Sequence, residues 1–200
     1  MNNELVCLNT PNASYRLILI HGWGADAEDL IPLGETLTRN FEMKVEIISL
    51  RAPQLHPQGI GRQWYSLFPP NWSEVPIAIE ELSARIKAIS TKSIPLEKTA
   101  ILGFSQGGAM ALSSGSTLPM AGIICCSAYA HPNWIVPQKM PPLVFTHGQY
   151  DEVVPCKAVE QIKNLLDDKY QIDIDIFNGG HEIPPYLLSK FKIVLSKWFD

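Results

Sequence analysis

Long apolar runs are missing from this 200-residue chain. The longest, Leu17 to Ile20 among them, fall far short of the roughly 20 residues that span a bilayer, so no transmembrane segment is expected. The opening Met1-Asn2-Asn3-Glu4-Leu5 has neither a basic stretch nor an apolar one after it, so no signal peptide is expected and the reading is cytoplasmic. Cysteine is scarce: Cys7, Cys125, Cys126 and Cys156, with no Cys-x-x-Cys spacing. Cys125 and Cys126 adjoin inside an apolar run, where alternate side chains face opposite ways. That suits reduced, buried thiols rather than a metal site or a disulfide. Basic clusters are absent as well. Lys and Arg number 16 against 20 Asp and Glu, a net charge of −4, which argues against a nucleic-acid surface. The strongest charge runs are pairs such as Asp167-Asp168, read as a solvated helix end. No metal site is expected.

What is present is an ordinary globular composition, 46% hydrophobic and 18% charged, without repeats or linkers. It is most simply one domain over residues 1–200, long enough to bury about 70% of the unfolded chain's surface. Short apolar runs alternate with helical patterns. Strands are expected at Arg16–Ile20, Lys44–Leu50, Thr99–Gly103, Gly122–Ser127, Leu143–Thr146 and Ile172–Phe177. Helices are expected at Asp29–Asn40, Ser73–Ser90, from Gln106, at Cys156–Asp168 and at Pro185–Phe199. Strands that are apolar throughout indicate a mostly parallel central sheet covered by helices on both faces, an α/β fold. Glu4–Leu8 fits an added antiparallel edge strand. One long irregular stretch, Arg51 to Trp72, holds Trp64, Tyr65, Phe68 and Trp72; it either walls a pocket or covers the sheet.

Ligands on such sheets sit beyond the carboxyl ends of the strands. The loops there contain His21-Gly22-Trp23-Gly24, then Ser105, then His147-Gly148-Gln149-Tyr150-Asp151, then Asn178-Gly179-Gly180-His181. Ser105 stands in Gly103-Phe104-Ser105-Gln106-Gly107, a pattern that chance alone produces in roughly several per cent of chains this long. A Ser, an Asp and a His leaving one end of the sheet in that order is a far rarer coincidence. A serine hydroxyl is a weak nucleophile until a base takes its proton, and imidazole suits that near neutral pH. His181 is the expected base, and Asp151 the acid that holds its tautomer and stabilises the imidazolium. Asp168, Asp173 and Asp175 compete with Asp151, which could instead cap the following helix. The oxyanion of the tetrahedral intermediate needs two N–H donors; the backbone amides of Gln106 and Trp23 are the candidates. His21 and His147 are read as pinning loops, and His56 and His131 as surface loop residues.

The stretches LILIHGWGAD, RAP…GRQWYSL, AILGFSQGGAMAL, HGQYDEVVP and GGHEIP resemble the carboxylesterase/phospholipase family of α/β-hydrolases, which includes acyl-protein thioesterases and small bacterial carboxylesterases. They run from Leu17 to Pro184, nearly the whole chain. The resemblance implies an α/β-hydrolase fold and hydrolysis of acyl esters or thioesters; the chain is compact for that family, so no large lid domain is expected. The resemblance further implies no cofactor, a small-molecule ester substrate and often a homodimer. Its catalytic residues fall on Ser105, Asp151 and His181, and its oxyanion donors on Trp23 and Gln106. Two departures bear on substrate: Trp23 replaces a common leucine beside the scissile ester, and Ser66 replaces a common acid after Trp64 and Tyr65. Trp23, Trp64 and Tyr65 are the expected pocket residues, and a bulky Trp23 favours short or medium acyl groups. A lysophospholipase or acyl-protein thioesterase with the same triad is the alternative; a non-catalytic ligand binder is another.

Overall fold

Strand formation follows the β-branched and aliphatic runs. In the computed structural model, which describes residues 5–8, 10–166 and 170–200, seven strands form one sheet. They are β1 (Leu5–Leu8), β2 (Tyr15–Ile20), β3 (Val45–Leu50), β6 (Thr99–Phe104), β7 (Gly122–Cys126), β8 (Leu143–Gly148) and β9 (Ile172–Phe177). Between β3 and β6 lies a small antiparallel hairpin, β4 (Gln54–Leu55) with β5 (Arg62–Gln63). The sheet order is β1-β3-β2-β6-β7-β8-β9. Only β1 runs antiparallel, with Leu5 opposite Leu50; the other pairings are parallel. The expected edge strand is therefore present, its first residue Glu4 lying outside the described residues.

The helices are α1 (Ile31–Thr38), α2 (Val75–Ala88), α3 (Gln106–Gly115), α4 (Lys157–Leu165) and α5 (Leu187–Trp198). Alternation along the strands divides the core in two. Ile18, Ile20, Ile101, Ile123 and Cys125 pack with Leu82 and Ile86 of α2, Met110 of α3 and Ile162 of α4. Leu17, Leu19, Leu102, Ile124 and Cys126 pack with Leu37 of α1 and Leu187, Phe191 and Leu195 of α5. Adjacent Cys125 and Cys126 thus face opposite layers, both fully buried, and burial pushes both thiols well above their usual range. Each fully buried Leu or Ile contributes about 1.5–3 kcal/mol of transfer free energy, so the two layers supply the main drive to fold.

Departures from expectation have local causes. The helix expected from Asp29 begins as a 3-10 turn, Ala27–Leu30, capped by Asp26, and turns α-helical only at Ile31 with Pro32 in its first turn. Ser73 does not cap α2; its hydroxyl donates to Asn71 Oδ1 (2.6 Å), and the helix opens at Val75. β9 alternates rather than being apolar throughout, because it is an edge strand. Its Asp173 and Asp175 accept from Lys190 Nζ at 2.9 and 3.1 Å. The expected end of α4 at Asp167-Asp168 lies outside the described residues. Among the described residues no helix is long and apolar enough to cross a membrane.

From β2 the chain steps to β3 on one side, then crosses to β6 on the other. The carboxyl ends of β2 and β6, with Ile20 beside Gly103, are therefore the topological switch point where α/β sheets bind ligands.

Candidate active site

Ser105 sits between β6 and α3 with φ 56° and ψ −122°. A non-glycine residue held there carries strain of about 1–3 kcal/mol, which neighbours must sustain. Its N–H donates to Cys126 O (2.9 Å), anchoring the turn to β7. Gly107 is required because a Cβ there would run into the carbonyl oxygens of Ile20 and His21. That close approach seats the start of α3 on the end of β2 and leaves Ser105 7% exposed.

His181 and Asp151 leave neighbouring strands. Gln149 N–H donates to Phe177 O (2.8 Å) and Tyr150 N–H to Gly179 O (2.9 Å). Gly148 lies so near the Gly179 and Gly180 carbonyls that no side chain fits. The stapled loops bring His181 Nδ1 to 2.7 Å from Asp151 Oδ2. The other carboxylate oxygen, Oδ1, accepts from the amides of Val153 (2.9 Å) and Val154 (2.8 Å), so both oxygens of the wholly buried carboxyl have donors. With Nδ1–H given to Asp151, His181 Nε2 carries a free lone pair. The ring packs on Phe104, the residue before Ser105, with centroids 4.8 Å apart. Of the rival acids, Asp173 and Asp175 pair with Lys190, and Asp168 lies outside the described residues.

His147 is fully buried; its Nε2–H donates to Val154 O (2.8 Å) and lies 3.6 Å from Asp151 Oδ2. His21 pins the neighbouring loop: Ala52 N–H donates to its Nε2 (3.1 Å) and its Nδ1–H to Gly22 O (2.8 Å). Burial pushes its pKa down, keeping it neutral. Arg51 pairs with Asp26 (2.6 Å) and with Glu28, and Gly24 N–H donates to Arg62 O (2.8 Å), so the loop bearing Trp23 is held from several sides. Among the described residues the backbone amides of Trp23 and Gln106 have no intramolecular acceptor. The Gln106 side chain does have partners: its Oε1 accepts from Trp64 N–H (3.0 Å) and its Nε2 donates to Tyr65 O (2.8 Å). No group of three His, Cys, Asp or Glu side chains among the described residues is arranged to hold a metal ion.

An apolar groove of about 410 Å³ opens beside Ser105, walled by Leu67, Phe68, Pro70, Trp72, Tyr129 and Val153. The three expected pocket residues are not in its wall. Trp64 is 2% and Tyr65 0% exposed. Their polar atoms found inward partners: Trp64 Nε1–H donates to His21 O (2.9 Å), and the Tyr65 hydroxyl meets Tyr129 (2.6 Å) and His131 Nε2 (2.9 Å). Trp23 turns its indole N–H to Gln63 Oε1 (2.9 Å) and stacks edge-on against His56 and Phe68. The Arg51–Trp72 stretch thus does both things expected of it: Trp64 and Tyr65 cover the sheet, while Phe68 and Trp72 wall the groove. His56 and His131, expected on the surface, are 6% and 4% exposed. The wall contributed by Val153 was marked only by its place just after Asp151, and that by Tyr129 by nothing local.

A family model described as Phospholipase/Carboxylesterase matches residues 1–199. Acyl-protein thioesterase 1 of Saccharomyces cerevisiae is 26% identical, over 98% of each chain. Among solved structures, esterase PE8 superposes with a TM-score of 0.85 at 25% identity, covering 97% of this chain and 99% of that one. The Bacillus cereus carboxylesterase shares the fold at 19% identity, with a TM-score of 0.79 over 98% of this chain and 94% of its own. The chain therefore belongs to the phospholipase/carboxylesterase family and is an ester hydrolase with the α/β-hydrolase fold.

Proposed function

We propose that this hydrolase cleaves carboxylic esters of short to medium acyl chain through an acyl-enzyme on Ser105. His181 Nε2 takes the Ser105 proton as Oγ attacks the acyl carbonyl, and returns it to the departing alcohol. Water, deprotonated in turn by His181, then releases the acid and restores the serine. Asp151 holds the tautomer and stabilises the imidazolium. The free amides of Trp23 and Gln106 receive the oxyanion, the latter helped by its place at the N-terminus of α3. The observation that carries the reading is the 2.7 Å contact between His181 and a buried carboxylate, with the imidazole packed on Phe104, the residue before a serine on a strained turn. Reaction with p-nitrophenyl acetate or butyrate should show a product burst, and a fluorophosphonate should label Ser105. Wild-type turnover by Ser105→Ala would overturn the mechanism. A folded protein whose Ser105 ignores the fluorophosphonate would instead be a ligand binder.

The preference for shorter chains now rests on the groove rather than on Trp23, whose ring is outside the wall. Its volume of about 410 Å³ is at the small end of the roughly 300–1,000 Å³ typical of small-molecule sites. Activity across an acyl series from two to sixteen carbons should fall at the long end. A second reading, an S-acylated protein or lysophospholipid as substrate, is favoured by relatives named acyl-protein thioesterase and by the exposed apolar rim of Phe68 and Val153. Rising activity at the long end would select it. Free cysteines at positions 7, 125, 126 and 156 fit a reducing compartment, the cytoplasm, and light scattering will decide on the homodimer.

A further inference from the structure

The groove wall between Leu67 and Trp72 carries two of its aromatic rings at the surface. Phe68 is 63% and Trp72 39% exposed, and the segment belongs to no strand of the main sheet. Its two ends are bonded to each other, the Asn71 amide donating to Ser66 O (2.9 Å), and both also reach one carboxylate. Glu74 Oε2 accepts from the Ser66 amide (2.8 Å) and from Gln54 Nε2 (3.3 Å). Oε1 accepts from Asn71 Nδ2 (2.7 Å) and from the Ser66 hydroxyl (3.2 Å). Both ends of the segment, Ser66 and Asn71, are thus tied to the residue that precedes α2. The chain of bonds also runs the other way. Gln54 Oε1 accepts from Gln63 Nε2 (3.0 Å), and Gln63 Oε1 accepts from the Trp23 indole (2.9 Å). The aromatic wall and the loop after β2 are moored to the same side chain. The Ser66 amide is the leading cause among those that hold the Glu74 carboxyl below its usual range, so the group is ionised and acceptor-only at neutral pH.

From this convergence we infer that Glu74 is a positioning residue: it holds residues 66–72 as the acyl-binding wall and so sets how tightly ester is bound, not how fast it is cleaved. The inference rests on reading the groove as the acyl site. A carboxylate suits the task because its two oxygens offer about four lone-pair sites to four donors, whereas an amide of the same shape presents its own N–H groups to two of them. Glu74 lies outside the Ser105, His181 and Asp151 cluster, and no proton moves through it.

Glu74→Gln is therefore the discriminating variant, nearly isosteric but wrong in its donors. KM for p-nitrophenyl butyrate should rise by about tenfold, the effect of losing charge-assisted hydrogen bonds, while kcat changes by less than about twofold. Hydrogen–deuterium exchange should quicken at the Ser66 and Asn71 amides and stay unchanged in β6 and α3. Asn71→Ala, which removes one donor and spares the helix start, should show the same pattern more weakly and covers the case of a misfolded Glu74 variant. Unchanged exchange at residues 66–72, or a kcat loss with KM intact, would overturn the inference. If the wild type hydrolyses no ester, the functional reading fails, while the exchange experiment still decides whether Glu74 holds the segment.

Discussion

His181 and His131 each stand in a short hydrogen-bonded chain, and the contrast between them explains why one suits a base and the other does not. His181 has a carboxylate behind it at 2.7 Å, a side chain 18% exposed and a free Nε2. His131 is 4% exposed and uses both ring nitrogens: Nδ1 meets Ser113 Oγ at 2.7 Å and Nε2 meets the Tyr65 hydroxyl at 2.9 Å. None of these partners is charged, and the neutral ring satisfies both contacts in either tautomer. Desolvation then pushes the His131 pKa down to about 4. A buried imidazole among hydroxyls cannot hold a proton at neutral pH; one backed by a carboxylate can accept it transiently. His131 instead braces Tyr65 and, through it, Tyr129, which walls the groove.

The largest test of this contrast is Asp151→Asn. The amide offers His181 no obligatory acceptor, so the ring loses its enforced tautomer, and kcat should fall by about 10³- to 10⁴-fold with the fold intact. A fall of tenfold or less, measured by steady-state kinetics beside circular dichroism, would show that the carboxylate is not what separates the two histidines.

Much of this was readable before any coordinates. The succession of strands and helices along the chain and the loops carrying Ser105, Asp151 and His181 follow from apolar runs and strand exits, which are local patterns. The failures involve direction and distance. Aromatic residues in the Arg51–Trp72 stretch announce apolar surface, but Trp64 and Tyr65 turn inward because their donors meet His21 O and a hydroxyl network. His131 looked superficial because it stands between Ala130 and Pro132 in a loop. Its partners lie 18 and 66 residues away, beyond the reach of any local pattern. Ser66 reads as a lost acid, yet its amide and hydroxyl both meet a carboxylate from Glu74, eight residues on.

His131→Phe tests the other side of the contrast. Ser113 Oγ is left without its imidazole partner and the Tyr65 hydroxyl keeps only Tyr129, a cost of about 2–3 kcal/mol in denaturant unfolding. Turnover should stay within about tenfold of wild type, since the brace is structural and the proton chemistry lies elsewhere. His131→Gln, which keeps a donor and an acceptor at its tip, should recover part of the stability. A loss of activity matching that of Asp151→Asn would break the comparison.

The smallest expected effect, about 2 kcal/mol between pH 7 and 5, is the pH dependence of stability, and its sign follows from linkage. The folded-state pKa of His131, about 4, is below the unfolded value of about 6.5. Stability from the neutral ring is thus fully present above pH 6.5 and is lost as pH falls towards 4, because the unfolded chain binds a proton the folded one refuses. The complete loss is on the order of 3 kcal/mol, and about 2 kcal/mol of it falls by pH 5. His21, also buried and lowered, adds to the slope in the same window. Asp26, Glu28 and Glu74, whose carboxyls lie below their usual range, contribute only as pH falls below about 4.5. Thermal melts between pH 7 and 5 should therefore show a downward slope that His131→Phe flattens without abolishing, leaving the share due to His21. A slope unchanged by the substitution would mean that His131 binds its proton alike in the folded and unfolded chain, and the two histidines would differ in their partners alone.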